Sequence, residues 1–234
     1  MDAEPAHFSS GPARVALIEL YTSEGCSSCP PADEWLGDLR KKSGLWKDFV
    51  PVEFHVNYWD NLGWKDRLSS PAFTAREYAY AAAWNSSNVY TPCFVRNGAE
   101  WKPSWGSTGG PGAPVGLLSV DVGFDGTCSV VFTPGPAAAS SPDGRYVVHM
   151  ATLGGGLSSK VTAGENLGTT LTHEFVVLAY SEQFMARDPG SPTLRATVPF
   201  PKPTVEAPTR HALAAWVTPH GEMAPIQAAG GWLP

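Results

Sequence analysis

The sequence has little charge and no long apolar run. Only 16% of its 234 residues are charged and 43% are hydrophobic, which excludes a disordered polyelectrolyte. No stretch approaches the run of about 18 apolar residues that indicates a transmembrane helix. Lysine and arginine total 16 against 22 acidic residues and form no cluster, which argues against nucleic acid as a partner.

Cysteine is also scarce. The four cysteines, Cys26, Cys29, Cys93 and Cys128, are too few for a disulfide scaffold in a chain of this length. The first 14 residues contain no apolar core and do not form a signal peptide. We expect them to be a polar lead-in, either native or left after a leader was removed.

The first half of the sequence alternates strand-like and helix-like segments. An apolar run at 15–21 predicts a buried strand, and Ser70-Pro71 predicts a helix N-cap followed by proline at the first helical position. Asn97-Gly98 is typical of a hairpin turn. Together the patterns predict strands at 15–21, 50–56 and 91–95, helices at 26–43 and 70–84, and a return strand from Glu100. This order predicts an α/β core with a mixed sheet and flanking helices.

The second half of the sequence has a different pattern, with short strand-like runs and no convincing helical period. Residues 103–114 are rich in turn-forming residues and mark a boundary. Short strand-like runs follow at 115–124, 127–134, 145–153, 171–180, 193–199, 211–218 and 223–228. We therefore predict two units, a CxxC-containing domain at 12–114 and a β-rich, sandwich-like domain at 115–234 packed on it.

The motif Cys26-Ser27-Ser28-Cys29 lies between the first strand and the first helix. A helix N-terminus favours a thiolate, so we expect Cys26 to be the exposed nucleophile and Cys29 the thiol that resolves a mixed disulfide. Half of a zinc site is the alternative, although the chain has no second CxxC. A structural disulfide in a binding module is another, and it predicts a reduction potential below about −300 mV.

Several segments of this chain resemble a bacterial thioredoxin-like family known as domain of unknown function 1223, whose members are typically exported. The matching segments are Ile18–Asp33, Phe54–Asp60, Leu62–Asp66, Phe73–Arg76, Val89–Pro92 and Gly164–Asn166. The resemblance implies a thioredoxin-like core with a β-rich C-terminal addition, and a periplasmic or secreted location. It implies no known reaction. The block at 164–166 is expected to dock the second unit near the first.

The thioredoxin-like resemblance also implies roles for residues outside the motif. A cis peptide at Thr91-Pro92 would face the cysteine pair and present backbone to a substrate chain. Glu19 precedes Cys26 by seven residues on the first strand and is either the acceptor of the Cys29 proton or a solvated surface acid. The family usually has Asp where Asn57 stands, so no carboxylate role carries over there.

The family usually has Gln where this chain has Cys93, directly after Thr91-Pro92. Three alternatives remain open for this thiol. It is an inert buried side chain, or it pairs with Cys128, or it joins Cys26 and Cys29 in a site for Cu(I), Hg(II) or Zn(II), since thiolates select soft ions.

Histidines and aromatic residues supply the remaining candidates. His55 is expected to be a hydrogen-bonded, partly buried side chain, or else a proton shuttle or fourth metal ligand near the thiols. The aromatic segment at 58–66 either packs over the core or forms a wall of a substrate cleft. The other internal histidines show no ligand-like spacing and are expected to be structural or exposed: His149, His173, His211 and His220.

These patterns favour a thiol–disulfide oxidoreductase of an extracytoplasmic compartment. Its catalytic residues are expected to be Cys26, Cys29, Glu19, Thr91 and Pro92, and its partner a protein thiol or disulfide. This reaction requires no cofactor. The alternative is a protein that binds or delivers copper or another soft metal through Cys26, Cys29 and Cys93 and exchanges it with a donor or acceptor protein.

Overall fold

A computed structural model describes residues 5–103, 108, 112–203 and 208–234. Much of the predicted boundary at 103–114 lies outside the described residues, namely 104–107 and 109–111. The helices are α1 (Pro30–Asp38), a 3-10 turn (Leu39–Lys41) and α2 (Pro71–Ala83). The strands are β1 (Ala6–Ser9), β2 (Ala16–Thr22), β3 (Phe49–His55), β4 (Cys93–Arg96), β5 (Ala99–Glu100), β6 (Gly116–Val122), β7 (Thr127–Pro134), β8 (Tyr146–Gly155), β9 (Leu157–Lys160), β10 (Thr170–His173), β11 (Val176–Arg187), β12 (Leu194–Pro199), β13 (Arg210–Pro219) and β14 (Gln227–Trp232).

The elements of the first half follow the predicted order. Ser70 caps α2, and its hydroxyl accepts a hydrogen bond from the backbone of Ala72 at 3.3 Å. The first helix begins at Pro30 and not at Cys26, and Cys29 is its N-cap. Proline is favoured in a first helical turn because it lacks the N–H that would have no partner there. The Cys26–Ser28 segment is therefore a turn that precedes the helix.

The main sheet crosses the predicted boundary between the two units. Its order is β5-β4-β2-β3-β11-β8-β13-β14. Strands β2 and β3 are parallel, and β11 pairs with β3 through Val176 and Glu53. A strand from the second half of the chain thus extends the sheet that begins in the first half.

A second group of strands is joined to the same sheet. The order is β1-β6-β7-β12, and β12 pairs with the far end of β11. The second hydrophobic cluster takes its residues from β6, β7 and β12 and from β8, β13 and β14. Strand β13 is buried on both faces, since Ala214 and Trp216 belong to the first cluster and Ala215 and Val217 to the second. This alternation follows from the two-residue period of a strand.

The fold is sheet-dominated, with a large mixed sheet and flanking helices, so the coarse α/β-plus-β-rich prediction is confirmed. The sequence patterns missed the short strands β1 and β9. Within the described ranges, no helix is long and apolar enough to cross a membrane.

Candidate functional site

The two motif cysteines lie at the C-terminal end of β2, where the chain turns into α1. Both are free thiols, and Cys26 is 1% and Cys29 0% exposed. The expectation of an exposed Cys26 is therefore wrong for this conformation. Its sulfur lies 3.3 Å from Ser28 Oγ and 3.7 Å from the carbonyl oxygen of Thr91, which together leave it little contact with solvent.

The surroundings of the two sulfurs give the two thiols different pKa values. The Cys29 thiol donates to Cys26 and, with the hydroxyls of Ser28 and Thr91, lowers the pKa of Cys26 to about 6 despite partial desolvation. Burial, the interaction with Cys26 and the nearby Asp33 carboxyl raise the pKa of Cys29 far above its usual range. At neutral pH the pair therefore holds one thiolate and one thiol, as nucleophilic attack by Cys26 requires.

A loop from the second half of the chain holds the motif in place. Asn166 donates to the carbonyl oxygens of Glu24 and Cys26 at 2.9 and 3.0 Å. Glu165 accepts from the backbone N–H of Ser27 at 3.0 Å. The prediction that the 164–166 block docks near the motif is thus confirmed.

Thr91 and Pro92 lie beside the cysteine motif, with the carbonyl oxygen of Thr91 3.7 Å from the sulfur of Cys26. The peptide bond between them is cis, as the resemblance implies. Trp59 donates its indole N–H to the Thr91 hydroxyl at 2.8 Å. One residue of the aromatic segment therefore fixes the threonine next to the cysteine sulfur.

The carboxylate of Glu19 is fully buried but is engaged away from Cys29. It accepts hydrogen bonds from the hydroxyls of Tyr21 and Tyr80 and from Arg76 Nε, the last at 2.9 Å. Its burial shows that the alternative of a solvated surface acid is wrong. The carboxyl group that contributes to the raised pKa of Cys29 belongs to Asp33, and Glu19 is the partner of Arg76, so a proton-accepting role for Glu19 stays a prediction.

Asp33 is connected to Cys29 through one hydroxyl group. Thr22 hydrogen-bonds Cys29 and donates to Asp33 Oδ1 at 2.6 Å. Burial and the neighbouring Glu53 raise the pKa of Asp33 to about 7. Sequence reasoning did not single out Asp33, although its position four residues after Cys29 on the first turn of α1 was available as a signal.

Cys93 and Cys128 lie in separate parts of the core. Cys93 belongs to the first hydrophobic cluster and Cys128 to the second, and both are free, so they do not pair. Burial raises the pKa of Cys93 to about 12, which keeps it neutral. The sulfurs of Cys26, Cys29 and Cys93 are not gathered within 4.8 Å of one another in the described structure. The soft-metal site remains a prediction that this arrangement does not favour.

His55 lies in a different cluster from the thiols. Its ring nitrogens contact Asp66 Oδ2 at 2.6 Å and Glu53 Oε1 at 2.8 Å. His173, which lacked any sequence signal, contacts the same Glu53 oxygen at 2.9 Å. Burial alone lowers the pKa of His173, but Glu53 and Glu24 raise it to about 9. His55 is thus fully buried, and both of its ring nitrogens face carboxylates and not the cysteine sulfurs.

The aromatic segment at 58–66 contacts both the histidine cluster and the turn that leads into the cysteine motif. Trp64 donates to Glu24 Oε2 at 2.8 Å, and Asp66 accepts from the backbone N–H of Glu24 at 2.9 Å. The segment therefore packs over the core beside the motif, in agreement with the first of the two alternatives.

These observations define a class of protein. Its fold is sheet-dominated, and it carries a buried CxxC pair at a strand–helix junction. Residues 17–109 match the family described as "Protein of unknown function (DUF1223)". The family expected from the sequence is thus confirmed over the segment that carries the motif. No curated protein matches the chain.

Two solved structures share the fold. One is a crystal structure of a protein from Agrobacterium tumefaciens, with a TM-score of 0.60, 24% identity and 94% of each chain covered. The other is HBP35 of Porphyromonas gingivalis, with a TM-score of 0.63 and 16% identity, covering 94% of this chain and 76% of that one. At these identities the likeness concerns the fold alone.

Proposed function

We propose that this protein is a thiol–disulfide oxidoreductase that uses Cys26 as nucleophile and Cys29 as resolving thiol. The observation that carries the proposal is the asymmetry of the pair, because the pKa of Cys26 is lowered to about 6 while that of Cys29 is raised. A purely structural disulfide needs no such asymmetry. Cysteine reactivity requires a thiolate at working pH, and Cys26 meets that requirement.

The reaction balances without a cofactor. The Cys26 thiolate attacks one sulfur of a substrate disulfide, whose S–S bond breaks and releases a thiolate while a mixed disulfide forms. Cys29 then loses its proton and attacks Cys26 Sγ, which releases the second substrate thiolate and forms the Cys26–Cys29 disulfide. The substrate gains two electrons, and a dithiol reductant returns them to the protein. The reverse sequence oxidises a dithiol.

In this mechanism, Asp33 accepts the proton that Cys29 releases. Thr22 bridges the two groups, since it hydrogen-bonds Cys29 and lies 2.6 Å from the Asp33 carboxyl. The hydroxyl passes the proton from sulfur to carboxylate while Cys29 attacks. Glu19 supports the site indirectly, through its ion pair with Arg76 on α2.

Substrate reaches Cys26 when the 164–166 loop moves aside. Cys26 is 1% exposed while Asn166 and Glu165 hold the motif. The cis Thr91–Pro92 peptide then presents backbone to the substrate chain, as the resemblance implies. The same resemblance supports a thioredoxin-like core, a sandwich-like C-terminal unit, a protein substrate and a periplasmic or secreted location as parts of this proposal.

The test is insulin reduction in the presence of a dithiol, measured for the wild type, Cys26→Ser and Cys128→Ala. We expect Cys26→Ser to fall to the rate of the dithiol alone, because the attacking thiolate is gone. Cys128→Ala is the matched control, since that thiol lies in the second hydrophobic cluster, away from the motif.

The thermal unfolding of Cys26→Ser is measured alongside to show that the fold is retained. A folded Cys26→Ser variant that reduces insulin, or oxidises a dithiol peptide, as fast as the wild type contradicts the proposal. Equal losses in Cys26→Ser and Cys128→Ala would also contradict it.

A further inference from the structure

A second cluster of chemically capable side chains is buried beneath the cysteine motif. Glu53 and His55 lie at the end of β3, and His173 ends β10. His55 Nε2 and His173 Nδ1 lie 2.8 and 2.9 Å from the same oxygen, Glu53 Oε1. All three side chains are at most 1% exposed. Elements far apart in the sequence thus place two imidazole nitrogens and a carboxylate around one point.

The outer nitrogens of both imidazoles face further carboxylates. His55 Nδ1 lies 2.6 Å from Asp66 Oδ2, and His173 Nε2 lies 3.4 Å from Glu24 Oε1. Metal-ligating histidines generally use one nitrogen for the ion and donate the other N–H to a carboxylate or carbonyl group, which fixes the tautomer and the ring orientation. His55 is arranged in that way, whereas His173 Nε2 faces Glu24 Oε1 without a hydrogen bond in the described structure.

The cluster also contains buried polar atoms that lack hydrogen-bond partners. Within the described part of the chain, these include Glu53 Oε2, Asp33 Oδ2 and Glu24 Oε1. Asp33 Oδ2 lies 4.0 Å from His173 Nδ1, on the inner side of the cluster. Four carboxyl groups and only two imidazoles share this volume closed to water. Buried charges are retained where they are paired or bind a metal.

We propose that this cluster is a binding site for a divalent metal ion of the zinc class. Its ligands are the Glu53 carboxylate, His55 Nε2 and His173 Nδ1, and the Asp33 carboxylate is the nearest further donor. A mixed set of imidazole and carboxylate ligands suits Zn²⁺ and similar first-row ions. Ca²⁺ and Mg²⁺ prefer all-oxygen shells, and Cu(I) prefers sulfur.

A surface cleft approaches this site. A cleft of about 220 Å³ lies between the start of α1 and β10, and Asp33 is part of its lining. Thr170, Leu171 and Thr172, which immediately precede His173, line its other side. The cleft is therefore lined by Asp33, the residue that supplies the carboxylate next to the cluster, and by the three residues before His173.

This site is separate from the cysteine pair but lies close to it. Asp33 connects them, because its Oδ1 atom bonds to Thr22 while its Oδ2 atom lies on the side of His173. The bound ion would hold β3, β10 and the 58–66 segment together. Metal binding here needs no thiol, so it can be measured separately from the proposed redox reaction, although Asp33 is shared by the two sites.

The test begins with the full-length protein, stripped with a chelator and titrated with Zn²⁺ and with Co²⁺ as a spectroscopic probe. Three variants are compared: His173→Gln, His149→Gln, and a triple variant with Cys26→Ser, Cys29→Ser and Cys93→Ser. His149 is the matched control because it is a buried histidine that bonds Tyr180 and Thr218 outside the cluster.

We expect one ion per chain in the wild type, in His149→Gln and in the triple cysteine variant. We expect the visible Co²⁺ spectrum to show d–d bands without thiolate charge transfer. His173→Gln should bind at least about 10-fold more weakly, since even outer partners of metal ligands contribute that much. Failure of the wild type to bind Zn²⁺ or Co²⁺ at one equivalent overturns the proposal.

The proposal is also overturned if the triple cysteine variant loses binding, or if the wild type shows a thiolate–Co²⁺ charge-transfer band. Either result would mean that the ion binds to the sulfurs. If His173→Gln does not fold, the triple cysteine variant decides the question. Stoichiometric Co²⁺ binding there supports the site, and absence of binding refutes it. None of these outcomes depends on insulin reduction, so the failure of either proposal is recognisable separately.

Discussion

At the scale of the residue, the acidity of Cys26 comes from the donors around its sulfur. The Cys29 thiol is the largest of these contributions, followed by the groups of Ser28 and the Thr91 hydroxyl. Both Pro30 and Pro31 lack an N–H, so the start of α1 offers fewer backbone donors than an ordinary helix would. The side-chain donors therefore carry much of the thiolate stabilisation.

This environment predicts the pH dependence of Cys26 alkylation. An ordinary thiol has a pKa of about 8.5, whereas that of Cys26 is lowered to about 6. The alkylation rate should therefore rise with pH to half its maximum near pH 6 and reach a plateau well below pH 8.5. Iodoacetamide trapping with mass spectrometry of Cys26 measures the profile.

The Cys29→Ala variant gives the control for this profile. Removal of the main donor should shift the midpoint to higher pH, whereas Cys93→Ala should leave it in place. A midpoint near pH 8.5 in the wild type would show that the thiolate is not stabilised. An unchanged midpoint in Cys29→Ala would show that the stabilisation has another source.

At the scale of the element, our proposal assigns control of access to the motif to the 164–166 loop. Asn166 is buried and donates to two carbonyl groups of the motif turn. Such hydrogen bonds each contribute on the order of 1 kcal/mol. On this scale we expect the loop to open without unfolding the sheet.

We expect Asn166→Ala to increase the alkylation rate of Cys26 at pH 7 by about 10-fold. Loss of two such bonds weakens closure by roughly 1–3 kcal/mol, and 1.4 kcal/mol corresponds to a factor of ten. The pH midpoint of the reaction should stay near 6, since Asn166 contacts only the backbone of the motif.

Leu167→Ala is the matched control, because Leu167 lies in the same loop and is 66% exposed. It should leave the alkylation rate unchanged. Equal rates in Asn166→Ala and the wild type would show that this loop does not limit access to Cys26.

At the scale of the whole molecule, the two halves of the chain share one sheet and one core cluster. Phe175 and Trp216 come from the second half, and both are fully buried in the cluster around β2 and β3. Each such side chain is worth about 3–5 kcal/mol. Their combined contribution is comparable with the total stability of a typical domain, about 5–15 kcal/mol.

This sharing predicts that residues 1–114 do not fold alone. The fragment lacks β11, so one edge of β3 loses its partner, and it lacks the side chains that cover β2 and β3. We expect no cooperative thermal transition by circular dichroism, whereas the full chain unfolds cooperatively. A cooperative transition in the fragment would show that the first predicted domain is an independent unit.

The sequence by itself determined the local elements and the thiol pair. Apolar strand runs, the Ser70-Pro71 cap and the Asn97-Gly98 turn act over a few residues, so β2, β3, α2 and the β4–β5 hairpin could be read directly. The spacing of Cys26 and Cys29 is likewise local. Each of these features is caused by residues within its own short segment of the chain.

Only the tertiary structure decided which buried charges meet. Glu19 bonds Arg76 and two tyrosines, while Asp33 faces Cys29 and His173 joins His55 and Glu53. His55 and His173 are far apart in the sequence, yet their ring centroids lie 4.7 Å apart. They meet because β11, which begins just after His173, pairs with β3 through Val176 and Glu53. Such contacts depend on sheet order, which local periodicity does not encode, because strands of similar pattern can pair in many ways.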